Sequence, residues 1–280
     1  MLISVVVPFH NVEPYIAACL DALAAADYPR DRFELIFVDN NSTDGSADIV
    51  RRYPQVRLLS EPAPGAYAAR NRGVSASRGS IVAFTDSDCA PDRDWLARIE
   101  SALNVPGVLL VQGSQRFARE SLTLSLLSDY ENAKAAHVFS SGVPEIYYAY
   151  TNNMAVRREL VDRVGPFAEV MRGGDVLFMQ KAIAASSCAA IQYRPEIRVR
   201  HLEITSARRW FQKLRIYGES LRAYGTVARA RPLNLRERLQ IVRATVQRGR
   251  YSPVKSAVLL TLLIAGALFY EIGRKFPGSR

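Results

Sequence analysis

The chain has 280 residues, and 49% of them are hydrophobic, enough for a substantial core and too many for a disordered protein. Its formal net charge is +10, yet residues 201–280 carry 16 Lys/Arg against 4 Asp/Glu while residues 1–200 carry 21 against 23. The body is thus near neutral and the C-terminal part strongly basic, which points to nucleic acid or an anionic membrane surface as a partner of that part.

Over the first hundred or so residues the predicted elements alternate. Strands are expected at 2–7, 33–38, 56–60 and 80–85, and helices at 13–26, 44–52, 66–77 and 93–103. No secretory signal is expected before the first strand. The strands are continuous apolar runs, as in a sheet covered on both faces. Strand–helix alternation implies a mostly parallel sheet. Further on the pattern loosens, with strands at 108–111, 191–199 and, weakly, 146–150. Helices are expected at 122–138, from about 175, at 210–224 and at 235–248. Cys19, Cys89 and Cys188 show no CxxC spacing, which argues for a reducing compartment and against a zinc site or a disulfide framework.

The last apolar segment is uncharged for 15 residues, 256–270. As a helix that stretch is about 22 Å long, short of the ~30 Å hydrocarbon core of a bilayer. A helix buried against the domain and a membrane anchor both fit. The flanking Arg248, Arg250, Lys255, Arg274 and Lys275 favour the anchor, spanning or lying flat. Few aromatics interleave with the basic residues, so nucleic acid is not expected as a partner.

Two strands end in aspartate: FELIFV runs into Asp39 and IVAFT into Asp86. In a parallel sheet ligands bind beyond the carboxyl ends of the strands, so both acids border one crevice. Asp86 and Asp88 stand at i and i+2, on the same side of an extended chain. Two carboxylates so placed repel one another unless a cation lies between them. A hard divalent cation bound there would complete its shell with phosphate oxygens and water. Asp92 and Asp94 have a plainer role at a helix start. Asn40 to Gly45 is rich in cap and turn residues. No GxGxxG, P-loop, GxSxG or HExxH signature is present.

VVVPFHNVEPYI, FVDNNSTDGS, AARNRGVSASRG and AFTDSDCAPD, in that order, resemble the family 2 glycosyltransferases of GT-A fold over about residues 2–205. The resemblance implies an α/β fold of GT-A (Rossmann-like) type, a mostly parallel sheet covered by helices with a C-terminal helical extension. Together with the basic and apolar stretches that follow, this divides the chain into an expected catalytic domain (1–205), a basic helical extension (206–251) and an apolar anchor helix (252–273). The resemblance further implies a nucleotide-sugar site formed by Pro8, Phe9, Asn11, Glu13, Asp39, Asn41, Arg70, Asp86 and Ser87. A divalent metal, Mg²⁺ or Mn²⁺, would be held by Asp88, with His201 in RVRHLEITS as a second ligand. Asp175 matches the second acid of the family's Glu-Asp pair and would be the catalytic base, with Glu169 as the fallback. Here Gly174 stands in the pair's first position and Ala168 replaces a common Asp. Asp175 also reads as the N-cap of a helix over 176–185. Asn152 and Asn153 fall on the acceptor side, and Tyr147, Tyr148 and Tyr150 offer a sugar-stacking face or a half-buried strand.

The expected function is inverting transfer of a sugar from a nucleotide-diphosphate donor to an acceptor hydroxyl, in cell-envelope or lipid-linked glycan synthesis. The expected location is the cytoplasmic face of the cell membrane, against its anionic surface. The alternatives are a nucleotidyltransferase that makes the sugar nucleotide, and a non-catalytic membrane-bound protein that binds it.

Overall fold

Strand β1 (Ile3–Phe9) is buried along its whole length. Its residues feed two cores, Val5 and Val7 on one face of the sheet and Val6 on the other. Each such valine contributes about 1.5–3 kcal/mol by leaving water. A strand covered on both faces needs helices on both sides. The computed structural model describes residues 1–118, 121–224 and 230–276, and it supplies them.

α1 (Glu13–Ala24), β2 (Phe33–Asp39), α2 (Ser46–Arg51), β3 (Val56–Ser60), α3 (Ala66–Ala76) and β4 (Ile81–Thr85) follow in order. Strands β3-β2-β1-β4 pair in parallel, with Phe9 opposite Asp39 and Val6 opposite Phe84. Their carboxyl ends therefore lie along one edge. These elements match the expected ones with small shifts at their ends.

Beyond β4 come β5 (Cys89–Pro91), α4 (Trp95–Leu103), β6 (Leu110–Phe117), α5 (Leu122–Ser140), β7 (Asn153–Arg157), α6 (Arg158–Val164), α7 (Gly174–Ala185) and β8 (Ile191–His201). They extend the sheet to eight strands in the order β3-β2-β1-β4-β7-β6-β8-β5. β7 is antiparallel to both β4 and β6, and β5 is antiparallel to β8, so this half is mixed rather than parallel.

The strand expected at 146–150 does not form. Pro144–Ile146 is a 3-10 turn, and Gln112 satisfies the backbone of Tyr150 instead of a neighbouring strand, at 2.9 Å to its N–H and 3.0 Å to its carbonyl. The strand comes later, as β7. Strand β6 continues past residue 111 through Gln112 and Ser114, both buried, where the sequence carries no apolar signal.

The C-terminal part adds α8 (Ala207–Tyr224), α9 (Leu235–Gly249) and α10 (Pro253–Lys275). A capping box between Asn234 and Glu237 starts α9. Trp210 of α8 joins Phe117, Leu124 and Leu127 in one apolar cluster, and Leu259 of α10 joins Leu126, Tyr130 and Ile241 in another. Among the described residues α10 is the one helix long and apolar enough to cross a membrane.

Candidate active site

Two loops frame one end of the crevice at the strand ends. The Asp39 carboxylate accepts the Ser42 N–H at 2.9 Å, closing a turn directly after β2. Asn11, at φ 50°, accepts the Thr43 N–H at 2.8 Å, and Glu13 accepts that of Gly45 at 3.0 Å. Asn41, at φ 64°, donates to the Pro62 carbonyl at 3.1 Å. The loops after β1 and β2 are thus tied to each other, and the second is tied to the loop after β3. Pro8 is buried. The Phe9 side chain is buried too, and its ring lies 6.4 Å from that of Phe37 inside the core.

After β4 the chain turns at Asp86-Ser87-Asp88, closed by the Cys89 N–H donating to the Asp86 carbonyl at 3.0 Å. Ser87 is buried in this turn. Strand β5 then pairs Cys89 with His201 at the end of β8. That pairing brings the imidazole to the acidic turn, with Nδ1 3.5 Å from Asp88 Oδ2. His201 Nδ1 is buried and has no hydrogen-bond partner among the described residues. Burial, and then the charge of Lys213, holds the imidazole pKa down to about 4, so the ring is neutral with one lone pair, on Nδ1 or Nε2 according to its tautomer. Burial, and then Asp86, pushes the Asp88 carboxyl up to about 7. Burial raises the Cys89 thiol as well, which keeps it protonated and a poor ligand.

These groups fit a divalent ion. Donor atoms of Asp88, Cys89 and His201 lie within 4.8 Å of one another. A carboxylate with a neutral imidazole suits Mn²⁺ and, less naturally, Mg²⁺. Asp88 and His201 are the residues that would hold it. Lys213 of α8 adds a cation that the sequence did not single out, 3.3 Å from His201 Nε2 and 2.7 Å from Glu203 Oε2. It is one basic residue among many in that region, and only the fold of α8 against the end of β8 distinguishes it.

The opposite wall centres on Asp175, in the first turn of α7. It is not the cap, since Gly173 holds that position at φ 83°. The carboxylate accepts the N–H of Val176 at 2.9 Å, and the Tyr67 side chain lies beside it. Burial raises its pKa, and Tyr67 and then Arg70 oppose that rise. Arg70 is buried, lies over the Tyr67 ring at 5.3 Å, and donates to Asp86 at 2.6 Å. Asp175, Tyr67, Arg70 and Asp86 therefore form one continuous chain from the base candidate to the acidic turn. Gly174 has a steric cause: a Cβ there would lie 2.7 Å from the Ala168 carbonyl oxygen and 2.8 Å from the Tyr67 ring. Glu169, exposed, accepts from Asn71 at 3.1 Å.

Of the two residues expected on the acceptor side, Asn152 is bonded to Gln115 at 3.1 Å. Asn153 donates to the carbonyls of Ser114 and Ile197 and accepts the Trp95 indole N–H at 2.9 Å, so its amide hydrogens are consumed within the sheet. Tyr147 is buried with its hydroxyl on the Phe139 carbonyl at 3.0 Å. Tyr148 and Tyr150 lie ring to ring at 4.8 Å beside the buried Glu131–Lys134 ion pair, a cluster that sequence reasoning missed.

Residues 4–165 match the model of glycosyl transferase family 2. The chain belongs to this family. Among curated family 2 relatives, glycosyltransferase AglE of Haloferax volcanii is 33% identical over 191 residues, 65% of this chain and 62% of AglE. A poly(ribitol-phosphate) beta-glucosyltransferase of Bacillus spizizenii is 36% identical over 31% of this chain and 15% of its own length. The chain thus spans less than two thirds of the length of these relatives. Among solved structures, the mannosyltransferase PcManGT of Pyrobaculum calidifontis in complex with GDP-Man and Mn²⁺ superposes with a TM-score of 0.65 at 21% identity, covering 99% of this chain and 88% of that one. TarS 1–349 of S. aureus superposes at 0.58 and 20% identity, covering 98% and 90%. The family 2 chain therefore has the GT-A α/β fold.

Proposed function

We propose that the protein transfers a sugar from a nucleotide-diphosphate donor to an acceptor hydroxyl, with inversion at the anomeric carbon. The observation that carries this reading is the pairing of a buried, unpartnered His201 nitrogen with Asp88 at the strand ends, connected through Asp86, Arg70 and Tyr67 to Asp175. The nucleotide would lie over the loops after β1 and β2, near Asp39, with its diphosphate at the acidic turn. Asp88 and His201 would hold a divalent ion, which would supply Lewis-acid stabilisation of the departing diphosphate. Arg70 fixes Asp86 so that it faces the ribose side, and Lys213 adds positive charge next to the leaving group. Asp175, raised by burial, accepts the proton of the attacking hydroxyl, and Tyr67 holds its carboxylate in place. A base opposite the leaving group is the geometry of single displacement.

Structures with GDP-Man and with UDP-GlcNAc among the fold neighbours support a nucleotide-sugar donor. Relatives named for poly(ribitol-phosphate) glycosylation support a cell-envelope or lipid-linked acceptor. The apolar α10 and the basic residues around it support a membrane location. The free cysteines suit the reducing cytoplasmic side.

A donor screen tests this reading. UDP-, GDP- and dTDP-sugars are incubated with Mn²⁺ or Mg²⁺, and free nucleoside diphosphate is measured. Release from one donor class, dependent on the ion, is expected. Pyrophosphate chemistry, or no turnover of any donor, would overturn it.

A further inference from the structure

Helix α10 has two apolar faces that differ in what covers them. The inner face is closely packed. Leu259 is buried between α5 and α9, Gly266 abuts Trp210 and Leu214 of α8, and Phe269 stacks on Phe211 with ring centroids 5.1 Å apart. At Gly273 a Cβ would lie 2.0 Å from the Arg215 carbonyl oxygen, so the two helix backbones nearly touch. Among the described residues nothing covers the outer face. Leu260, Ile264, Leu268, Ile272 and Phe276 recur every fourth residue and are exposed, Ile264 by 64% and Leu268 by 61%. No charge interrupts this row between Lys255 and Glu271. Basic residues stand at the two ends of α10, Lys255 before the uncharged stretch and Arg274 and Lys275 after it, and Arg236, Arg243 and Leu239 are exposed on α9.

We propose that α10 is an in-plane membrane helix, with its outer row sunk among the acyl chains of an anionic bilayer and its inner face docked on α8 and α5. This rests on the membrane placement proposed above and specifies its mode. Length does not decide between spanning and lying flat, since 23 residues make a helix of about 34 Å. Packing decides. Crossing the bilayer would pull α10 off Trp210, Phe211 and Leu214 and leave that apolar surface in water. A helix with one lipid-ready face and basic ends instead has the build of an interfacial segment. A second copy is a poorer occupant, because an antiparallel two-fold contact would set the basic ends of both copies together. The arrangement also has a consequence for the site. Helix α8 carries Lys213 toward His201 and receives α10, so the membrane-facing helix and the acidic turn share one rigid support.

The full chain is floated with vesicles of phosphatidylcholine alone or with phosphatidylglycerol. Binding is expected to the anionic vesicles, weakening as salt rises. The double variant Ile264→Glu/Leu268→Glu should bind at least tenfold less while keeping its helical circular dichroism and its release of nucleoside diphosphate. Orientation is read in sealed membrane vesicles from cells expressing the full chain. Single cysteines are placed at Val254→Cys or Phe276→Cys in a Cys188→Ser background and labelled with an impermeant maleimide. Labelling of both positions from the same side is expected. Labelling from opposite sides would overturn the in-plane seat while sparing the membrane placement. Failure to bind any vesicle would overturn both, and a dimer in solution that the double variant dissolves would assign the face to a second copy. Nucleotide release by a protein that binds no vesicle would leave the transferase reading standing alone.

Discussion

At the residue scale the chemistry turns on a few buried ionisable groups. Asp175→Asn keeps the shape and the Tyr67 contact but removes the carboxylate proposed as the base. Transfer should fall by about 10²–10⁴ while nucleotide affinity, measured by calorimetry, stays unchanged. A variant with wild-type turnover would remove Asp175 from the mechanism. Asp88 and His201 set a pH dependence. The Asp88 carboxyl, at about 7 in the fold, keeps its proton to higher pH than in the unfolded chain; its stabilisation is present at low pH and lost as pH rises through 7. His201, held down to about 4, acts in the opposite sense, and its stabilisation is lost as pH falls from its ordinary 6.5 through 4. The two nearly offset in the acidic range, so ion affinity is the sharper readout. Mn²⁺ binding, followed by paramagnetic resonance, should level off above pH 7 and fall about tenfold per unit just below it, as one proton must leave. Arg70→Met would strand Asp86 beside Asp88. It should cost about 1–3 kcal/mol in urea unfolding and shift the plateau of Mn²⁺ binding to higher pH.

At the element scale, glycines decide how closely helices approach. Gly273→Val places side-chain atoms inside the Arg215 backbone, and the overpacking should cost about 1–3 kcal/mol. Thermal melts would show it as a lowered midpoint, without a change in the site-bound nucleotide. Gly174 illustrates the same physics within the site. The position departs from the resembled Glu-Asp pair because Tyr67 occupies the space a side chain needs, and Tyr67 in turn holds Asp175. The parallel elements were legible in the sequence because their strands are continuous apolar runs. Strand β7 was not, because Asn153 begins it and its register depends on Gln112 and Trp95 from distant segments.

At the scale of the whole molecule, α10 behaves as part of the domain rather than as an appendage. Deleting residues 253–276 should not release a soluble core, because it uncovers Trp210, Phe211 and the Leu259 contact surface of α5 and α9. The expected outcome is a shift of the truncated chain into the insoluble fraction, read by fractionation against the full chain. A soluble, folded truncation would show that α10 contributes little to the core.

The sequence by itself determined the alternating strand–helix order, the acids at the strand ends and the basic, apolar C-terminal part, because each is written in local pattern and composition. Only the tertiary structure decided that Lys213 stands beside Asp88 and His201, that Asn153 holds strands together, and that one face of α10 is already covered. Those are contacts between segments far apart in the chain, and no local periodicity records which distant groups a fold will press together.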